Sequence, residues 1–122
     1  MPPTHPRNVL VVDDHQHTAA GLAAYLRIHG YETISATSGE EALELAERHL
    51  PGFAILDVRM PGMNGVDLGR ALRRKFHSDI KLIGMSGADG KDLDYTLMLA
   101  LCDHMLPKPL DVDRLVRMLE PG

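Results

Sequence analysis

Short strand-like runs and longer stretches of helical periodicity alternate five times along this chain. Asn8-Val9-Leu10-Val11-Val12-Asp13 is an apolar run that ends in two acids, Asp13 and Asp14. From His15 to His29, Ala19, Leu22, Ala23 and Leu26 recur at helical spacing, and Gly30 stops the helix. Tyr31-Glu32-Thr33-Ile34-Ser35 alternates polar and apolar, which predicts a strand with one wet face. Ser38-Gly39-Glu40-Glu41 has the form of a capping box. It opens a second helix with Ala42, Leu43, Ala46 and Leu50 inward and Glu40, Glu44 and Glu47 outward. Phe53-Ala54-Ile55-Leu56 lies between Pro51-Gly52 and Pro61-Gly62, too short for a helix. It reads as a strand buried on both faces and closed by Asp57. Asn64 caps a third helix with Leu68, Leu72 and Phe76 inward; Arg70, Arg73, Arg74 and Lys75 fall on its solvated side. Lys81-Leu82-Ile83-Gly84-Met85-Ser86 is a fourth strand ending in a hydroxyl, and Gly87-Ala88-Asp89-Gly90 predicts a loop. Residues 91–101 form a fourth helix with more apolar residues than one face needs: Leu93, Leu97, Met98, Leu99 and Leu101. Asp103-His104-Met105-Leu106 is a short fifth strand, followed by Pro107-Lys108-Pro109. Asp111 caps a last helix with Val112, Leu115, Val116 and Leu119 inward.

Strands joined by helices of this length run parallel, with right-handed crossovers. The first, third and fourth strands are apolar throughout and belong in the middle of a sheet. The second alternates, and the fifth is short and meets a proline, so both suit edges. The result is an α/β, flavodoxin-like (βα)5 three-layer fold with strand order 2-1-3-4-5. The 122 residues read as one domain, 1–122, with its core in 8–119. No apolar run approaches the roughly 20 residues that span a membrane. Met1-Pro2-Pro3-Thr4-His5-Pro6-Arg7 lacks the apolar centre of a signal peptide. The single cysteine, Cys102, excludes an internal disulfide and fits a reducing cytoplasm. A net charge of −4 argues against a nucleic-acid surface. The seven histidines are scattered, and His15 and His17, two apart, point to different sides of a helix. No histidine metal site is expected from them.

In open α/β sheets, ligands bind outside the carboxyl ends of the strands, where the strand order reverses. Here that point lies between the strands that end in Asp13-Asp14 and in Asp57. Three like charges brought together are costly without a cation. Hard oxygen ligands suit Mg²⁺, or Mn²⁺ in its place. The fourth strand delivers the Ser86 hydroxyl to the same edge, and the fifth delivers the Lys108 ammonium. A cation, a hydroxyl and an ammonium around one carboxylate make a phosphoryl-transfer site with Asp57 as nucleophile.

The residues Val11-Val12-Asp13-Asp14, Leu56-Asp57-Val58-Arg59-Met60-Pro61-Gly62-Met63-Asn64-Gly65, Ser86 and Lys108-Pro109 resemble those of a response-regulator receiver domain. Such a domain is the phosphoacceptor half of a two-component signalling pair. The resemblance covers residues 8 to 119. It implies that Asp57 accepts phosphate from a phosphohistidine of a sensor histidine kinase or a phosphotransfer protein. It implies Mg²⁺ bound by Asp14, by Asp13 mostly through water, by Asp57 and by the Arg59 backbone carbonyl. Ser86 and Lys108 would each hold a phosphoryl oxygen. The Lys108-Pro109 bond resembles the family's cis peptide. In the family the hydroxyl at the Ser86 position moves toward the phosphoryl group, and an aromatic residue three before the lysine turns inward. That change reshapes the face of the fourth helix, fifth strand and fifth helix, which controls a downstream protein or effector domain.

Two positions depart from the commoner pattern: Met105 replaces that aromatic residue, and the cation Arg59 stands two after Asp57. Neither bears on phosphoacceptor chemistry; Met105 bears on the switch and Arg59 on phosphate lifetime. Met98, Leu99 and Met118 fall off the inward stripes of their helices and are expected on a docking or dimerisation face; the alternative is a fourth helix buried all round, which would absorb Met98 and Leu99 into the core. Two other classes compete. An aspartate-nucleophile phosphatase of the haloacid-dehalogenase type would need an acid where Arg59 stands. A receiver-like binding module that carries no phosphate usually lacks an acid or the lysine, and none is missing. The chain ends at Gly122, directly after the last expected helix. It therefore reads as a free-standing receiver, without an effector domain, or as one cut from a longer protein.

Overall fold

A computed structural model describes residues 4–87 and 93–120. Its strands are β1 His5–Val12, β2 Glu32–Ala36, β3 Pro51–Asp57, β4 Lys81–Ser86 and β5 His104–Pro107. Its helices are α1 Gln16–Ile28, α2 Gly39–His49, α3 Gly65–Phe76, α4 Leu93–Leu101 and α5 Val112–Leu119, with one 3₁₀ turn at His77–Asp79. The five strands form one parallel sheet in the order β2-β1-β3-β4-β5, as the strand character predicted. The expected loop at Gly87–Gly90 and the first turn of the expected fourth helix fall largely outside the described residues.

The sheet splits the core because alternate strand residues face opposite sides. Leu10, Val12, Ala54, Leu56 and Leu82 pack under α2, α3 and α4. Val9, Val11, Ile55, Ile83 and Met85 pack under α1 and α5. Leu68, Leu72 and Phe76 of α3 are fully buried, as expected. Each such side chain contributes roughly 1.5–3 kcal/mol of burial. Ser38, Asn64 and Asp111 cap their helices by accepting from the N–H groups of Glu41, Asp67 and Arg114. The capping box differs in one partner: the Glu41 carboxylate accepts from the Thr37 N–H at 2.8 Å, one residue earlier than the box pattern. Leu50 packs against the core as expected, but it does so from just past the second helix, as a C-cap in the left-handed conformation.

Four expectations need correction. β1 and β3 both start early, because the His5 N–H donates to the Leu50 carbonyl and the Asn8 amide to that of His49. β5 starts one residue late, because Asp103 is used as an anchor: its N–H donates to Leu82 O, and its carboxylate accepts from the Leu82 N–H at 2.8 Å. Arg73 is not simply solvated. Its guanidinium donates to Asp103 at 3.0 Å and to the carbonyls of His77 and Ile80. Met98 does not belong to a docking face. It is 0% exposed, whereas Leu99 is 50% exposed. Gly84 on β4 makes the room: a Cβ there would lie 3.2 Å from Met98 Cε. Met118 is half-buried against the α5 side of the core.

The Asp103 anchor makes stability depend on pH. Burial raises its carboxyl pKa, but the Leu82 N–H and the Arg73 guanidinium outweigh that and hold it below 3.8. A carboxyl lowered on folding contributes stability above its unfolded pKa and loses it as pH falls through the folded value. Asp103→Asn should therefore flatten the acid side of the stability profile, read as urea midpoints from neutral pH to about pH 2. Parallel profiles for variant and wild type would show that the anchor is not ionic.

Candidate functional site

The parallel sheet presents its carboxyl edge as a row of chain ends. β1 stops at Val12, and the Asp13 N–H donates to Ala36 O of β2. β3 stops at Asp57, and the Val58 N–H donates to Met85 O of β4. Both acids lie inside the surface: Asp13 is 0% and Asp57 5% exposed. Ser86 ends β4 and is also buried. Its carbonyl accepts the Lys108 N–H at 2.7 Å, which fixes where the lysine leaves β5. The Lys108–Pro109 peptide is cis, as the resemblance implied.

Lys108 reaches back across the edge. Its Nζ donates to Asp57 Oδ2 at 2.9 Å and to Asp13 Oδ2 at 3.3 Å. The other Asp57 oxygen accepts the Arg59 N–H at 3.3 Å. The other Asp13 oxygen accepts the His15 N–H at 2.9 Å. Burial and the neighbouring Asp13 raise the Asp57 pKa above the usual carboxylate value, and Lys108 only partly offsets them. Burial pushes Asp13 up as well, but the His15 N–H and Lys108 more than reverse it, so Asp13 ends low. Lys108 is pushed down by burial and raised further by Asp57 and Asp13, so its ammonium is held charged.

Asp14, half-buried, completes the cluster. Its Oδ1 is shut off from solvent and accepts no hydrogen bond, with the His15 ring nitrogen Nδ1 3.3 Å away. A carboxylate oxygen so placed is expensive unless a cation meets it. One potential ligand atom from each of Asp13, Asp14, His15 and Asp57 lies within 4.8 Å of the other three. The donor set is mostly hard oxygen, so these residues fit a divalent cation of the Mg²⁺ or Mn²⁺ kind.

The expected residues Asp13, Asp14, Asp57 and Lys108 are thus brought together, with Ser86 at the adjacent strand end. Arg59 lies with Asp14, Met60 and Asp94 around an open concavity beside the acids. Met105 is not in the pocket. It is half-buried over Gly84, in the core layer beneath α4. Sequence reasoning missed two residues. His15 does not share a helix side with His17, yet its ring faces Asp13 and Asp14. Gly65 was read only as the end of a motif. A Cβ there would lie 2.2 Å from the Asp57 carbonyl oxygen, so only glycine lets α3 start against the end of β3.

Residues 9–120 match the family described as response regulator receiver domain. The chain belongs to the response regulator receiver family. The receiver is 34% identical over 116 residues to the transcriptional regulatory protein PdtaR of Mycobacterium tuberculosis, covering 94% of this chain and 56% of that one. It is 36% identical over 109 residues to the transcriptional regulatory protein CpxR of Escherichia coli, covering 88% and 45%. The chain thus spans about half the length of the curated relatives it matches. A CheY-like receiver domain from Methanospirillum hungatei superposes with a TM-score of 0.80 at 27% identity, covering 94% of this chain and 92% of that one. The Vibrio cholerae chemotaxis protein CheY4 gives 0.81 at 26%, covering 92% and 94%. Receivers are signalling modules rather than true enzymes, they pair with histidine kinases, and the relatives named here include transcription regulators. Among the described residues, no helix of this receiver is long and apolar enough to cross a membrane.

Proposed function

We propose that this receiver, read as one domain over 1–122, is a phosphorylation-dependent switch whose phosphoacceptor is Asp57. The observation that carries the reading is the Lys108 ammonium bridging two buried acids, Asp57 and Asp13, at the switch point of the sheet. An Asp57 oxygen attacks the phosphorus of a phosphohistidine on a sensor histidine kinase or phosphotransfer protein. The P–O bond forms as the P–N bond breaks, and the donor ring keeps the bonding pair. Lys108 and the Ser86 hydroxyl take phosphoryl oxygens, so Lys108 exchanges its carboxylate partner for a phosphate one. Asp13, Asp14, Asp57 and the Arg59 carbonyl would hold Mg²⁺, which supplies the positive charge that lets a phosphoryl group approach these acids. Arg59 stands beside the pocket where it acts on the lifetime of the acyl phosphate. A cytoplasmic location follows from such a donor.

Incubation with phosphoramidate or acetyl phosphate and Mg²⁺ should add one phosphoryl group to Asp57, read by intact mass and peptide mapping. Asp57→Asn should add none, and omission of the divalent cation should also suppress the gain. Equal labelling of Asp57→Asn would refute the reading.

Met105 is the element that reports phosphate in this reading. It pairs with Gly84 across the β4–β5 ladder, and its sulfur lies only 2.3 Å from where a Gly84 Cβ would be. An unbranched thioether over a bare backbone changes rotamer readily. It can follow Ser86 toward the phosphoryl group and reshape the α4-β5-α5 face that a downstream protein or effector domain reads. Met105→Ala should leave Asp57 phosphorylation nearly intact and shrink the beryllofluoride-induced amide shifts of residues 93–119. Shifts as large as wild type would make Met105 ordinary core.

A further inference from the structure

We propose that His15 is an additional protein ligand of the cation pocket, its only nitrogen donor, and tilts this receiver toward transition metals over Mg²⁺. The inference rests on the reading of Asp13, Asp14 and Asp57 as the cation site. His15 occupies the N-cap of α1, a place usually held by Ser, Thr, Asp or Asn. Its side chain makes no capping hydrogen bond. The ring turns back over the acids instead, with Nδ1 3.1 Å from Asp13 Oδ1 and 3.3 Å from Asp14 Oδ1. Packing does not force it there, since the side chain is 72% exposed.

Neighbouring ligands of an octahedral ion with bonds of about 2.1 Å lie roughly 3.0 Å apart, and opposite ones about 4.2 Å. Both His15 separations are close to the neighbouring value. The widest spacing in the set, 4.8 Å, needs only a small inward closure. Asp14 Oδ1, shut off from solvent and accepting no hydrogen bond, has the His15 ring 3.3 Å away, and a cation bound between the two would satisfy both.

An imidazole nitrogen changes which ion wins. Oxygen-only sites suit Mg²⁺, whereas affinity for mixed nitrogen and oxygen sites rises along the series from Mn²⁺ through Co²⁺ to Cu²⁺. With His15 in the set, the pocket should rank Co²⁺ and Mn²⁺ above Mg²⁺ by more than three carboxylates alone would. The competing arrangement is a protonated ring that only neutralises Asp13 and Asp14. That ring would repel every cation, so removing it would raise all affinities alike.

The test is calorimetric titration of the metal-free chain with Mg²⁺, Mn²⁺ and Co²⁺, at mildly alkaline pH where free imidazole is neutral. Wild type, His15→Ala, His15→Gln and the control His17→Ala are compared. Both His15 variants should lose Co²⁺ affinity by about 10-fold or more and keep Mg²⁺ affinity within about twofold. The control should match wild type. Pulsed EPR of the Mn²⁺ complex should show a ¹⁴N coupling in wild type that both His15 variants lack. Unchanged or raised Co²⁺ affinity in both variants, or no nitrogen coupling in wild type, overturns the role of His15 and leaves the carboxylate pocket standing. Absence of any Mg²⁺ or Mn²⁺ binding to wild type overturns the pocket reading as well.

Discussion

Lys108→Ala should slow phosphorylation of Asp57 by about 10²- to 10³-fold, the usual consequence of removing one preorganised donor from developing charge. It should also weaken the folded protein before any phosphate arrives. Asp13 and Asp57 share this one ammonium at 3.3 and 2.9 Å, and both are buried. Removing a partner from a buried ion pair costs about 3–5 kcal/mol, because the charge left behind stays desolvated. Here two like charges are left facing each other. A divalent cation supplies the missing charge by another route. Millimolar Mg²⁺ should therefore restore most of the lost stability but little of the rate, since the phosphoryl oxygen that Lys108 would hold stays without its partner. Urea unfolding with and without Mg²⁺, beside single-turnover labelling by phosphoramidate, reads both effects. A variant as stable as wild type in the absence of Mg²⁺ would mean that Asp13 and Asp57 do not depend on Lys108.

Gly65→Ala should be the more damaging of two superficially identical changes. Alanine in place of glycine inside a helix ordinarily stabilises by about 0.5–1 kcal/mol. Gly21→Ala on α1 should do so, since a Cβ there meets nothing within 4 Å. At Gly65 the sign reverses. The new Cβ would stand 2.2 Å from Asp57 O and 3.0 Å from Val58 Cα, both backbone atoms of the strand end that carries Asp57. No side-chain rotation relieves that. The first turn of α3 must move away, which breaks the 3.1 Å hydrogen bond from the Gly65 N–H to Val58 O. We expect a loss above about 3 kcal/mol, in the range of strained or overpacked sites, together with slowed phosphorylation from a displaced Asp57. Thermal or urea unfolding of the pair checks it. Small gains of equal size at both positions would show that α3 is free to slide.

The strand order was legible because burial on both faces leaves continuous apolar runs, and edges leave alternation or proline. The acids were legible because Asp13, Asp14 and Asp57 each close such a run. Met98 was misplaced because one-dimensional helical spacing carries no record of what lies opposite. The hole that accepts Met98 is made by Gly84, on another element. Arg73 was read as solvated for a similar reason: its partner, Asp103, is 30 residues away. The early start of β1 was hidden because His5-Pro6-Arg7 has no apolar pattern, and its hydrogen bonds go to the backbone, which every sequence offers equally. His15 illustrates a different limit. Spacing of histidine against histidine tests one kind of partner, while the ring sits among carboxylates from its own neighbours, Asp13 and Asp14, and from the end of β3, Asp57.

Asp103 and Lys108 bracket β5, and this turns a four-residue strand into a beam clamped at both supports. At one support Asp103 is tied to Leu82 and Arg73. At the other, Lys108 is tied to Ser86 and Asp57. A clamped beam cannot slide along its length when one support is disturbed; it can only flex sideways or twist between the clamps. A load applied at Asp57 should therefore arrive laterally, at His104, Met105 and Leu106, rather than as a shift in register. Cutting the far clamp, at Arg73 or Asp103, would let the same load dissipate as axial slip. A residue at the opposite end of the sheet from the acids would then set how much of the input arrives as shape change.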